Sequence, residues 1–118
     1  MAEDARIQRQ LDIWKKEYGI ADPVTFMGFS DLGRGVLGRC TSWKDRSEVR
    51  LSSAWEDRSM GWMMRSVLWH EMCHAIDYQE DHDGDGHGGR WRELSRSNMS
   101  YRIGDVFAKL IVGPRCRR

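Results

Sequence analysis

The sequence predicts an α+β domain, because strand-type and helix-type patterns occupy separate parts of its 118 residues. Short segments with β-type composition, separated by turns rich in Gly, Asp and Ser, lie between residues 24 and 52. Apolar residues at helical spacing precede them and return after residue 59. The hydrophobic content of 40% and charged content of 31% are typical of a globular chain. We therefore expect one domain over residues 1–118.

A helix comes first, over residues 4–18, where apolar residues recur near helical spacing and Gly19 provides a stop. Three predicted strands follow, each short and bounded by turn residues: 24–29, 36–43 and 48–52. Because tight turns join them, we expect a three-stranded, mostly antiparallel sheet.

The second half of the chain is predicted to be helical. A long helix begins near Ser59, an expected N-cap, and runs to about residue 78. After a polar loop rich in Asp and Gly, shorter helices are predicted over residues 90–97 and 105–112. The last residues, 113–118, form a basic tail.

The long helix contains the pattern H-E-x-x-H, read as His70, Glu71 and His74. Four residues turn a helix by about 400°, so the two imidazoles project from one face, one turn apart. That spacing suits two ligands of a single Zn²⁺ ion. Glu71 lies beside the metal without binding it, and is the expected general base that takes a proton from the zinc-activated water.

A catalytic zinc ion usually has three protein ligands and one open position. The preferred third ligand is His87, because Gly86 and Gly88 allow the chain to bend back toward the helix. His82 and Glu93 remain alternatives.

Several motifs together resemble the SprT-like metalloprotease domain. They are HEMCHA at residues 70–75, an acidic loop ending in DGHG at residues 85–88, and the aromatic Trp91. An N-terminal helix and strands carrying residues 38–40 and 49–52 precede them in similar order, and the resemblance is strongest over residues 35–95.

The resemblance implies a minimal zincin-like fold and a zinc-dependent endopeptidase. It implies His70, His74 and His87 as ligands of one catalytic zinc ion, Glu71 as general base, and Trp91 packed behind the third histidine. It also suggests substrates that are proteins bound or crosslinked to DNA. The alternative is a non-catalytic, zinc-stabilised DNA-binding module, although such a structural site needs no general base.

Further residues are candidates for supporting roles. Asp77 either orients a zinc ligand through a hydrogen bond or faces solvent. Tyr78, Tyr101 and Arg90 are candidates to stabilise the transition state. By analogy with zinc proteases, an extended substrate is expected beside the strand that carries residues 49–52.

The net charge of +1 excludes a protein that binds nucleic acid as a diffuse polycation. This charge is nevertheless the sum over segments that include two of opposite charge. Residues 71–89 have a net charge of −6, and residues 90–118 have a net charge of +6. A basic C-terminal third suits contacts with DNA phosphates, although an ordinary solvated surface is the alternative. The candidate DNA contacts are Arg90, Arg92, Arg96, Arg115, Arg117 and Arg118. Trp43 and Trp55 are interpreted as core residues, with base stacking as the alternative.

The remaining expectations concern the cellular setting. The charged N-terminus has no apolar core of the kind a secretory signal requires, and no apolar stretch is long enough for a membrane span. The three cysteines form no C-x-x-C pair, which favours a reduced environment. We expect a monomer in the cytoplasm, nucleoid or nucleus, and not a secreted protein.

Overall fold

A computed structural model describes residues 2–80 and 89–96 and has the helix, sheet and helix order of an α+β fold. The helices and strands are α1 (Ala2–Glu17), β1 (Val24–Ser30), β2 (Gly38–Trp43), β3 (Arg46–Ser52), α2 (Trp62–Glu80) and α3 (Gly89–Arg96). A single 3₁₀ turn, Ser53–Trp55, follows β3. The predicted helix over residues 105–112 and the basic tail lie outside the described residues.

The three strands form a mixed sheet in the order β1–β3–β2. β2 and β3 pair antiparallel through the predicted hairpin, but β1 and β3 are parallel. The expectation of a mostly antiparallel sheet is therefore wrong for β1. Each connection reverses the chain, as tight turns require, but β3 lies between β1 and β2 and so runs in the same direction as β1.

The two edge strands of this sheet differ in the partners of their outer backbone groups. On β1, the Gln8 side chain of α1 donates a hydrogen bond from Nε2 to the Val24 carbonyl at 3.0 Å. The backbone N–H of Phe26 donates to Gln8 Oε1 at 2.7 Å. These bonds satisfy backbone groups that an edge strand leaves unpaired. Within the described part of the chain, β3 is the one strand that pairs with β2, so no described strand pairs with the outer edge of β2.

Both helices of the core pack on the same face of the sheet. Ile7 and Leu11 of α1 and Trp69 of α2 are fully buried, and the Trp14 ring meets the Trp69 ring edge-on at 4.9 Å between centroids. The face carrying Val49 is buried beneath α2, as strand alternation requires. None of the described helices is both long and apolar enough to cross a membrane.

The long helix begins at Trp62, two residues later than an N-cap at Ser59 predicts. Its first turn is closed by a hydrogen bond from the Arg65 N–H to the Gly61 carbonyl at 3.0 Å. The preceding Met60 N–H donates instead to Glu3 Oε2 of α1 at 2.8 Å. This contact between distant parts of the chain holds residue 60 outside the helix, and it has no signal in the local sequence.

Candidate metal centre

The helix α2 brings His70 and His74 together on one face, as the helical period requires. Their ring centroids are 5.1 Å apart with planes inclined by 70°. His74 is almost completely buried, whereas His70 is half-buried. The pair therefore lies where the helix leaves the core and reaches solvent on one side.

The side chain of Trp91, on α3, packs against both imidazoles. Its ring lies 4.9 Å from the His70 ring and stacks on the His74 ring at 5.6 Å and 28°. The sequence resemblance predicts contact with a third histidine, and the described contacts are with the first two. Trp91 is itself buried, so α3 restricts the orientation of both rings.

The spacing of the two imidazoles fits one zinc ion. Two histidines on a tetrahedral zinc, with Zn–N bonds of about 2.0–2.1 Å, have ring centroids about 5 Å apart. Over residues 2–80 and 89–96, no group of three or more His, Cys, Asp or Glu side chains is arranged to hold a metal. Glu93 is exposed on α3, whereas the candidate ligands His82 and His87 lie outside the described residues.

Glu71 lies between the two histidines in sequence and is only 3% exposed. Burial raises the pKa of its carboxyl group from 4.5 to about 7, although the charges of His70 and Arg39 act in the opposite direction. Its Oε1 atom is buried and accepts no hydrogen bond from any described residue. Burying a carboxyl group without a hydrogen-bond partner lowers folding stability. Buried acids with a perturbed pKa are concentrated at functional sites.

Two residues of β2 contribute to this site and were not identified from the sequence. Gly38, at the start of the strand, lies directly against the Glu71 side chain. Arg39, the next residue, donates a hydrogen bond to the Leu32 carbonyl at 3.3 Å, and its charge acts on Glu71. A helix pattern reveals which residues share a face, but only the sheet register shows which strand residue lies opposite them.

The sequence profile of the SprT-like family matches residues 12–108, which is most of the chain. The chain belongs to the SprT-like family. This family is generally associated with metalloprotease-like domains and is commonly zinc-dependent. Neither a curated protein nor a solved structure matches the chain at a significant level.

Two other candidate residues of this SprT-like chain lie on α2. Asp77 is buried, which excludes the solvent-facing alternative, and Tyr78 is half-buried farther along the helix.

The two tryptophans interpreted as core residues differ in burial. Trp55 is buried as expected, but Trp43 is 37% exposed, and the Arg46 guanidinium lies 4.1 Å from the centre of the Trp43 ring. The interpretation of Trp43 as a core residue is wrong, because it ends β2 on the solvent side.

The structure describes the side chains of two of the six candidate DNA contacts of the SprT-like chain. Arg92 and Arg96 are exposed on α3, the helix that supplies Trp91. The other predicted residues have side chains outside the described part of the structure: Arg90, Tyr101, Arg115, Arg117 and Arg118.

Proposed function

We propose that the chain is a zinc-dependent endopeptidase in which His70, His74 and His87 bind one zinc ion and Glu71 is the general base. The observation that carries this proposal is the buried Glu71 beside two imidazoles at metal-binding spacing. A structural zinc site requires no general base. The alternative of a non-catalytic DNA-binding module therefore does not explain why an acid is buried here at a cost in folding stability.

Zinc, when bound, polarises the peptide carbonyl and makes water acidic near neutral pH. Glu71 accepts the proton of the attacking water at its carboxylate and then donates it to the leaving amine. The raised pKa of about 7 suits both steps, because a group that titrates near the working pH both accepts and releases a proton readily. Trp91 packs against the two imidazoles, and Asp77, buried three residues after His74 on the same helix, is proposed to orient a ligand through a hydrogen bond.

The substrate chain is proposed to lie along the outer edge of β2. The sequence led us to expect it beside the strand with residues 49–52, but that strand, β3, is central and pairs on both sides. A central strand has no free backbone groups to offer a peptide, whereas no described strand pairs with the outer edge of β2. Gly38 of this strand also lies against Glu71, so the edge and the base are adjacent.

Proteins bound to DNA are the proposed substrate class. The support is the net charge of +6 in residues 90–118 and the exposure of Arg92 and Arg96 on the helix beside the histidines. Positive charge near the site would attract DNA and bring its bound proteins to the active centre. The monomeric state and the intracellular location stay predictions.

The proposal predicts that the zinc-loaded protein cleaves a DNA-binding protein and that cleavage stops when a chelator removes the metal. We expect single- or double-stranded DNA to accelerate cleavage, and the acceleration to fall steeply as salt is raised. The measurement is the cleavage rate with and without each DNA at two salt concentrations, together with zinc content. Absence of cleavage by zinc-loaded protein in every condition would favour the DNA-binding module, while DNA-independent cleavage would retain the peptidase and reject its direction to DNA.

The third ligand is tested by a pair of substitutions in one loop. We expect His87→Ala to weaken zinc binding by more than about a hundredfold, because losing a direct ligand exceeds the 10–100-fold cost of losing an outer partner. His82→Ala is the matched control and should bind zinc normally. The measurement is a zinc titration against a competing chelator, and the reverse pattern would assign the ligand to His82.

A further inference from the structure

Gly38 is a glycine that its own backbone does not require. Described glycines with positive φ, which other residues adopt only with strain, are Gly19, Gly28, Gly33 and Gly35. Gly38 is not among them, and it is paired with Leu51 in the β2–β3 ladder. Glycine inside a strand is less stable than alanine, because it loses more conformational freedom and packs no side chain. The reason for glycine at this position must therefore lie in its surroundings.

The space that a side chain would need is occupied by α2. A Cβ atom at residue 38 would lie 3.1 Å from Glu71 Cγ, 3.2 Å from Glu71 Oε2 and 3.1 Å from Val67 Cγ1. The two distances to carbon atoms are shorter than ordinary van der Waals contacts between carbons, which are about 3.5–4.0 Å. Two of the three crowded atoms belong to Glu71, so its side chain lies flat against the backbone of β2.

We propose that Gly38 is a positioning residue for Glu71, whose side chain lies this close to the β2 backbone because residue 38 has no Cβ atom. This inference rests on the proposed function, in which Glu71 is the general base. A base must lie within hydrogen-bond reach of the proton it accepts. A side chain at residue 38 would displace the Glu71 side chain by a few tenths of an ångström from this position.

The direct test is Gly38→Ala, with Gly61→Ala as its matched control. Gly61 also lacks positive φ, and a Cβ atom there would meet nothing within 4 Å. We expect Gly38→Ala to keep wild-type zinc content and KM while kcat falls by about tenfold or more, since small misplacements of reacting groups are costly. Gly61→Ala should retain wild-type values. A kcat for Gly38→Ala within twofold of wild type, or a parallel loss of zinc, would overturn the inference.

A second variant keeps the test decisive if Gly38→Ala does not fold. Val67→Ala removes the third crowded atom and makes room for the strand, but leaves Glu71 in contact with residue 38. We expect the double variant Gly38→Ala/Val67→Ala to fold and to have a kcat about tenfold below that of Val67→Ala alone. Equal kcat values in these two proteins would contradict a role through Glu71.

A third measurement needs no activity. In metal-free protein, Gly38→Ala should lower the urea midpoint of unfolding, and this shift should shrink by at least half in a Glu71→Ala background, because two of the three crowded atoms are then absent. An unchanged shift overturns the inference whether or not the protein is a peptidase. If the shift shrinks but zinc-loaded wild-type protein cleaves nothing, the contact is supported and the proposed function is rejected.

Discussion

Replacing Glu71 by glutamine is expected to lower kcat by about 10²–10⁴-fold without changing zinc content. Glutamine has the shape of glutamate but cannot accept a proton, so the substitution removes the base and leaves the helix and its histidines in place. The matched control is Glu80→Gln, the same change at an exposed position of the same helix, which should retain wild-type activity. The measurement is steady-state cleavage with zinc content determined on the same samples. Wild-type turnover by zinc-loaded Glu71→Gln would contradict the proposed role.

The same substitution should stabilise the metal-free protein at neutral and alkaline pH. Burial raises the pKa of Glu71 from 4.5 to about 7, so the folded protein holds this proton more tightly than the unfolded chain does. Stability from this group is therefore fully present below pH 4.5 and is lost as pH rises toward 7. The pKa difference corresponds to a loss of about 3 kcal/mol in the free energy of unfolding at high pH. The Glu71→Gln protein should not show this loss, because glutamine does not ionise.

Urea unfolding of both metal-free proteins at pH 4.5 and pH 8 would measure this effect. We expect similar midpoints at the lower pH and a higher midpoint for Glu71→Gln at the higher pH. If the variant is no more stable at pH 8, Glu71 is not buried as an uncompensated acid. A gain in stability together with a loss of turnover would show that the fold tolerates a costly group for its chemistry.

The residues on one face of α2 could be predicted from the sequence, because that requires only the helical period. His70 and His74 meet as expected, and Cys73 is buried on a different part of the helix. The burial of Glu71 could not be predicted in the same way. It depends on β2 passing within contact distance of the helix at Gly38, and sequence patterns do not specify that approach.

The order of the strands could not be predicted either. Alternation identifies which residues of β3 are buried, but it does not say which strand lies on each side. The position of β1 is supported by Gln8, whose amide bonds to Val24 and Phe26 join segments far apart in the chain. In this order no described strand pairs with the outer edge of β2, and the proposed path of the substrate therefore lies beside β2 and not beside the central β3.

Replacing His74 by phenylalanine is expected to abolish zinc binding and, with it, peptide hydrolysis. Phenylalanine keeps an aromatic ring stacked on Trp91 but has no nitrogen to bind a metal. Affinity should fall by more than about a hundredfold, beyond the 10–100-fold cost of losing a partner outside the first coordination sphere. Zinc should raise the melting temperature of the wild type, because a ligand that binds only the folded state stabilises it, and should leave His74→Phe unchanged.

Cys73→Ala is the matched control for this prediction. Cys73 is also fully buried on α2 and precedes His74 directly, and one residue turns the helix by about 100°, so its side chain leaves the helix in a different direction from that of His74. Its removal should cost some stability and leave the zinc-induced rise in melting temperature intact. Retention of zinc by His74→Phe, or its loss in Cys73→Ala, would contradict the ligand set, because zinc binding would then depend on a residue outside that set.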